Sequence, residues 1–233
     1  MPNFGNQSLD IPQIQRGVQI DYKRLYYSNP EAALKVPVTL QAGYGLIPQG
    51  TALSKNLSAG GNAGLLLPYN PTTFTGAEAH PGRAYLVADS GATATVVYVT
   101  QDDSYKFAVG DDLIINDDTT AAENLGAITA IDRDTDLSRA SITFTTAIGG
   151  TAFTTARKAH VFVEAGTSGN NYSDCVGIIE KAVHTGTGVR AAGAVATLIL
   201  GNAVLYDGLL FNLDAAAKTD LSASTFGQFV YMK

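Results

Sequence analysis

Glycine and proline break this chain so often that only short extended segments can form between them. The 24 Gly and 8 Pro spread over 233 residues separate apolar runs at 36–40, 45–47, 64–69 and 84–88, each bounded by turn-forming residues. Val96, Val97, Tyr98 and Val99 form a β-branched and aromatic cluster that predicts a strand. Segments 158–164 and 194–200 are of the same kind, and the second lacks alternation, as expected of a strand buried on both faces. Residues 228–232 alternate and predict a last strand. One helix is expected: Asn212 or Asp214 can cap a stretch from Leu213 to about Leu221, where Ala215, Ala216 and Ala217 favour helix. The class is therefore all-β with one short C-terminal helix.

Charged residues make up 15% of the chain, against about 25% in an average soluble domain, and the mean hydropathy is +0.08. A surface that neutral suits a subunit that buries part of its outside against partners. The formal net charge of −6, with no Lys/Arg-rich run, gives no electrostatic footprint for nucleic acid. Cys175 is the single cysteine, which excludes an intrachain disulfide and a cysteine zinc site within one chain. Residues 1–10 are polar without a basic start, and no apolar run approaches the ~20 residues of a membrane span. Neither a secretory signal nor a membrane partner is expected.

Four regions are distinguished: an extended arm over 1–36, a main β domain in two halves at 37–100 and 156–233, and an inserted acidic β lobe at 101–155. In the arm, Pro2, Gly5, Pro12, Gly17 and Pro30 exclude a helix, while Val18, Ile20 and Tyr22 alternate with Gln19 and Asp21 in strand period. It is either a strand of the chain's own sheet or an arm that docks on a neighbouring subunit. Its candidate contact residues are Leu9, Ile11, Ile14, Arg16, Val18, Ile20 and Tyr22. From Asp102 to Asp136 there are 10 acidic residues against Lys106 and Arg133, a net of −8. Strands are expected there at 112–115, 126–131 and 141–145, the last two forming a hairpin across the polar stretch 132–140. So many carboxylates are expected to face solvent.

No constellation for bond-making chemistry stands out. His80, His160 and His184 are far apart and lie outside any metal-ligand spacing, so a structural role is expected for each. Asp132, Asp134 and Asp136 open like a calcium loop, but the sixth and twelfth positions hold Leu137 and Thr143 instead of Gly and Glu, which leaves a solvated turn. The glycine-rich stretch 58–64 has no Gly-Lys-Ser/Thr and precedes a β run, so it reads as a loop. Cys175 sits at a strand start, the setting of a buried thiol. Paired carboxylates keep a glycan-binding or glycan-cleaving module on the table, against which stands the absence of Trp. The chain is expected to be no enzyme and to need no cofactor.

Several segments of the main domain resemble the lambda-type head decoration proteins of tailed bacteriophages. They are Leu46-Ile47-Pro48-Gln49-Gly50-Thr51-Ala52-Leu53, Gly64-Leu65-Leu66-Leu67-Pro68-Tyr69, Cys175-Val176-Gly177-Ile178-Ile179-Glu180, and 194–201 followed by Asn202-Ala203-Val204. The likeness covers about half the chain in two pieces, interrupted by the 101–155 insert that the short members of that family lack. The resemblance implies a β-rich, β-tulip-like decoration-protein domain and a homotrimer bound to the major capsid protein. It also implies a place on the capsid exterior of a virion made in the host cytoplasm, and an arm that orders on the shell. The alternatives are another virion part (head fibre, tail or baseplate) with the acidic lobe as its recognition element, and a carbohydrate-binding module.

Overall fold

The computed structural model of the protein describes residues 25–28, 30–71, 81–117, 119, 122–166, 173–224 and 228–233. The chain is all-β. In order, the strands are β1 (Leu34–Leu40), β2 (Leu46–Ile47), β3 (Ala52–Lys55), β4 (Leu66–Pro68), β5 (Ala84–Tyr85), β6 (Val96–Val99), β7 (Asp112–Asn116), β8 (Glu123–Asp132), β9 (Ala140–Phe144), β10 (His160–Val163), β11 (Gly177–Ile179), β12 (Val183–His184), β13 (Ala194–Gly201), β14 (Ala203–Tyr206) and β15 (Phe229–Met232). Among the described residues two α-helices accompany them, α1 (Gln101–Ser104) and α2 (Ala215–Ala223). Each apolar run named above carries a strand where it falls within the described residues. Asp214 is the residue that caps α2, accepting from the Ala217 N–H at 2.8 Å. Asn212 instead adopts a left-handed conformation with φ 62°.

Five strands close a barrel in the order β1-β13-β11-β3-β4. Its neighbours are antiparallel except β4 and β1, which run parallel and meet at the single pair Leu40↔Leu66. Where those two strands part, a groove of about 390 Å³ opens between Val38, Lys55, Leu66 and Leu198. The fully apolar look of 194–200 is only half explained by double burial. Leu198 faces the main core and Ile199 a second core, but Val195 is 73% exposed, because the second core covers only one end of β13.

Six strands form the other large sheet, β5-β10-β7-β8-β9-β6. The bridge Leu86↔Val99 and the bond from the Val87 N–H to the Tyr98 carbonyl (2.9 Å) bring its two edges together, so this sheet also curls into a second, barrel-like body. Alternate residues fill it: Val97, Val99, Leu113, Ile115, Ile142, Phe144, Val161 and Val163 are buried in the main core. On the outer face Ile114 and Phe162 make a separate buried cluster with Ala122. The expected hairpin is present as β8–β9, with Ile131↔Ile142 and Ile128↔Phe144.

This sheet is wider than the acidic window 101–155. Its strands run from Ala84 to Val163, so β5, β6 and β10 pair with the lobe and not with the barrel. Composition marks where charge collects, whereas the strands that close a sheet on itself are apolar and look like any other core strand. Residues 81–166 carry twelve acidic and six basic side chains, a net of −6 equal to that of the whole chain, which leaves the remainder neutral. Not all of those carboxylates face solvent: Asp111 and Asp117 are buried. Both find compensation, Asp117 from Arg157 at 3.2 Å and Asp111 from neutral donors.

The two barrels share one apolar core and a polar seam. At the seam Asp111 accepts from Asn56 Nδ2 (3.0 Å), Asn62 Nδ2 (2.9 Å) and the Ala108 N–H (2.9 Å). Gln41 Nε2 donates to the Lys106 carbonyl at 2.6 Å, and Lys106 Nζ reaches the Arg83 carbonyl and Asp103, each at 2.6 Å. Backbones approach closely enough to require glycine. A Cβ on Gly43, where φ is 91°, would lie 2.5 Å from the Tyr105 carbonyl oxygen, and one on Gly60 would run into the Gly110 backbone.

Candidate assembly surface

Several described residues that could have carried chemistry make structural contacts. His160 lies at the start of β10, fully buried between the Tyr85 and Phe162 rings, with Nδ1 3.2 Å from the Lys158 carbonyl. Burial, helped by the nearby Arg83 charge, pushes its pKa down to about 3. His184 sits exposed on β12, and His80 falls outside the described residues. Among the described residues no three His, Cys, Asp or Glu side chains gather as a metal site. Cys175 is buried, its thiol pushed well above the usual range by desolvation, and its N–H is held by Asp220 Oδ2 at 2.9 Å. In the hairpin loop Asp132 Oδ1 accepts from the N–H groups of Asp134 (2.9 Å) and Thr135 (3.1 Å), and Asp136 Oδ1 from Ser138. These carboxylates close their own turn, and those bonds hold both below the usual carboxylate range.

The buried neutral imidazole has a consequence for acid stability. Its folded pKa is depressed, so stability is complete above the unfolded value near 6.5 and is lost as pH falls toward about 3. Within that window the loss is at most about 1.4 kcal/mol per pH unit. Replacing His160 by Leu should flatten the decline in urea midpoint between pH 6 and pH 4; an unchanged slope would mean that other groups set it.

The arm residues Leu9, Ile11, Ile14, Arg16, Val18, Ile20 and Tyr22 lie outside the described residues. What the structure does place is the root of that segment. Leu25 and Tyr26 are buried, Tyr26 bridges Leu205 antiparallel, and the Tyr27 N–H donates to the Val204 carbonyl at 2.8 Å. Glu180 clamps the root from the barrel side: it accepts from Tyr26 Oη at 3.0 Å and pairs with Lys35, whose ammonium also lies 5.1 Å from the centre of the Tyr26 ring. Residues 34–36, assigned to the arm on sequence, belong to β1 of the barrel.

Tyr26 thereby extends a small sheet made of β14 and β15, which run parallel with Ala203↔Phe229, Val204↔Val230, Leu205↔Tyr231 and Tyr206↔Met232. Parallel neighbours need a crossover, and α2 supplies it. The inner face of this sheet carries Tyr26, Ala203, Leu205 and Phe229, packed on Ala217 and Leu221 of α2 and on Tyr69, Ile178 and Ile199 of the barrel. Strand alternation puts Val204, Tyr206, Val230 and Met232 on the other face, and Tyr27 joins them edge-to-face on Tyr206 at 5.3 Å. Tyr27 is 52% exposed and Val230 49%. Among the described strand residues, none on this outer face is charged. Comparison with known proteins finds no matching family model, curated protein or solved structure.

A sheet whose two faces are both apolar is built to be covered on both sides. Here the inner face has its cover within the chain, whereas on the outer face Tyr27 and Val230 are left about half exposed among the described residues. Sequence reasoning concentrated on the arm and missed this surface. The signal was nonetheless present: Ala203-Val204-Leu205-Tyr206 is an unbroken apolar run, and so is Phe229-Val230-Tyr231-Met232, which the alternation expected above for 228–232 overlooks, whereas strands that end against water alternate with polar residues.

Proposed function

We propose that this chain is a non-catalytic structural subunit that works by burying the outer β14–β15 face against a protein partner. On the resemblance described above, it is a head decoration protein of a tailed bacteriophage: it sits on the capsid exterior as a homotrimer and stabilises the shell through the major capsid protein. The observation that carries the reading is the apolar sheet face of Val204, Tyr206, Val230 and Met232 beside the root of the arm, on which Tyr27 and Val230 are exposed. Arm and face leave the body at one place, so a partner can engage both together. The charge distribution supports the same orientation, since the net −6 resides in the second barrel and the half with the apolar face is neutral. Each Å² of that face contributes about 25 cal/mol on burial before the costs of association, so binding requires the arm or further contacts as well.

Shells of the cognate phage stripped of this protein provide the test. Replacing Tyr27 by Glu should weaken shell binding at least ~10-fold while the thermal midpoint stays within a few degrees, because Tyr27 is about half exposed; deleting residues 1–20 should weaken shell binding at least as much. Full occupancy by both variants would remove the basis for the proposal.

The second reading, a head-fibre, tail or baseplate part, rests on the β8–β9 hairpin tip. Leu137 is 85% exposed there, on a loop lashed down by Gln101 Nε2, which donates to the carbonyls of Arg133 (2.8 Å), Asp136 (2.8 Å) and Arg139 (3.1 Å). A rigid loop presenting one apolar side chain is a recognition device. If that is its role, Leu137→Ser abolishes target binding and leaves shell binding intact.

A further inference from the structure

Tyr26 and Tyr27 are neighbours of one residue type, so apolar character alone does not decide which of them faces the second core and which the outer face. A slip of the root by one position along β14 would exchange the two. Among the described residues the backbone contacts that oppose such a slip are few, namely the Tyr26↔Leu205 bridge and the bond from the Tyr27 N–H to the Val204 carbonyl. Yet the two tyrosines are sharply distinguished: Tyr26 is buried, and Tyr27 stands half exposed on Tyr206.

A polar clamp on the barrel makes the difference. The Glu180 carboxylate accepts from Tyr26 Oη at 3.0 Å and pairs with Lys35, whose ammonium lies 5.1 Å from the centre of the Tyr26 ring. One tyrosine is thus gripped by its hydroxyl and by its face at once. The clamp has a fixed base. The Glu180 N–H donates to the Thr197 carbonyl at 2.9 Å, the Glu180 carbonyl accepts from Gln49 Nε2 at 3.0 Å, and Lys35 is paired within β1 to Ile199 of β13. The Glu180 side chain is only 6% exposed. Burying a carboxylate is unfavourable, and an apolar residue in its place would pack against the tyrosine ring without that desolvation. Apolar packing, however, has no direction, whereas a hydrogen bond to a fixed acceptor does.

We infer that Glu180, together with Lys35, is a positioning residue for the outer face: by holding Tyr26 inward it sets the register of the root, and so presents Tyr27 outward on Tyr206. The inference rests on the proposed role of that face in shell binding. It adds a residue that acts on binding without touching the partner, since the Glu180 side chain is buried and bonded to the inward tyrosine.

The test compares Tyr26→Phe with Tyr27→Phe in the full chain, since each removes one hydroxyl and keeps the ring. Amide exchange at Tyr27, followed by NMR, should accelerate at least ~10-fold in Tyr26→Phe, the effect of losing a bond to a charged group, and stay within ~2-fold of the wild type in Tyr27→Phe. Glu180→Leu should do at least what Tyr26→Phe does. Exchange in β11 and β13 should stay slow in Tyr26→Phe, whereas a merely structural loss would speed it there too. Shell binding by Tyr26→Phe should weaken at least ~3-fold, because only molecules with the root in register can bind. On a Tyr27→Glu background the same change should cost nothing further, because the side chain being positioned is gone. Equal exchange in the two Phe variants, unchanged shell affinity of Tyr26→Phe where Tyr27→Glu lowers it, or losses that add in the double variant would each overturn the inference. If Tyr27→Glu leaves shells fully decorated while exchange responds as expected, the function proposed above falls and the control of register by Glu180 stands.

Discussion

Replacing Gly43 by Ala should destabilise the protein by about 3 kcal/mol, whereas Gly91→Ala should leave it within about 0.5 kcal/mol of the wild type. The Gly43 backbone has φ 91°, a conformation that residues with a Cβ rarely adopt, and the added methyl would lie 2.5 Å from the Tyr105 carbonyl oxygen, 2.6 Å from its carbon and 2.7 Å from the Lys106 nitrogen. All three obstacles are backbone of the other barrel, held by hydrogen bonds, so none can swing aside as a side-chain tip would. Relief requires the two barrels to separate at the seam, which breaks the bond from Gln41 to the Lys106 carbonyl. Gly91 has ordinary φ and nothing within 4 Å of the same methyl. Urea unfolding of both variants measures the difference. Equal midpoints would show that the seam can open without loss.

Asp111→Ala attacks the same seam through its polar contacts, and the expected loss is again about 3 kcal/mol, or roughly 10 °C in thermal midpoint for a chain of this size. The carboxylate is fully buried and satisfies Asn56, Asn62 and the Ala108 N–H together; its removal leaves three donors facing a cavity. Desolvation raises the Asp111 pKa against the lowering effect of those donors. A raised folded pKa means that protonation favours the native state, so stability from this group is present below pH about 4 and declines as pH rises through the folded pKa. The penalty of Asp111→Ala therefore reflects lost hydrogen bonds and packing, not lost charge. It should be measured by calorimetry at pH 7, where a midpoint within 2 °C of the wild type would be inconsistent with the seam described here.

Much of the secondary structure was legible because it follows local rules. β-branched runs bounded by Gly and Pro marked the strands, and the paired isoleucines and Phe144 of 128–131 and 142–144 fixed the hairpin face. Asp214 announced the start of α2 by a cap whose donor lies three residues away. Where the reading fell short, the missing term was long range. The boundary of the acidic lobe was drawn by charge at 101–155, while the sheet is bounded by hydrogen bonds between residues as distant as Tyr85 and His160. Asp111 looked like one more surface carboxylate because its donors come from Asn56 and Asn62, nearly fifty residues or more away. The candidate surface was hidden for a related reason. Two apolar runs separated by a helix become one two-faced sheet only when β14 and β15 pair, and nothing local to either run says that they will.

The amino-acid sequence by itself determined the class of fold, the position of most of the longer strands and the capped helix near residue 215, because turn residues and side-chain period act within a few positions along the chain. It determined as well that the net charge is confined to the middle of the chain. Only the tertiary structure decided that the middle segment curls into a barrel-like sheet of its own, that Gly43 and Asp111 lie at its seam with the barrel, and that an apolar sheet face carries exposed Tyr27 and Val230. Those are matters of which strands meet, and strand meeting is settled by packing and hydrogen bonding between distant residues, which no local pattern encodes.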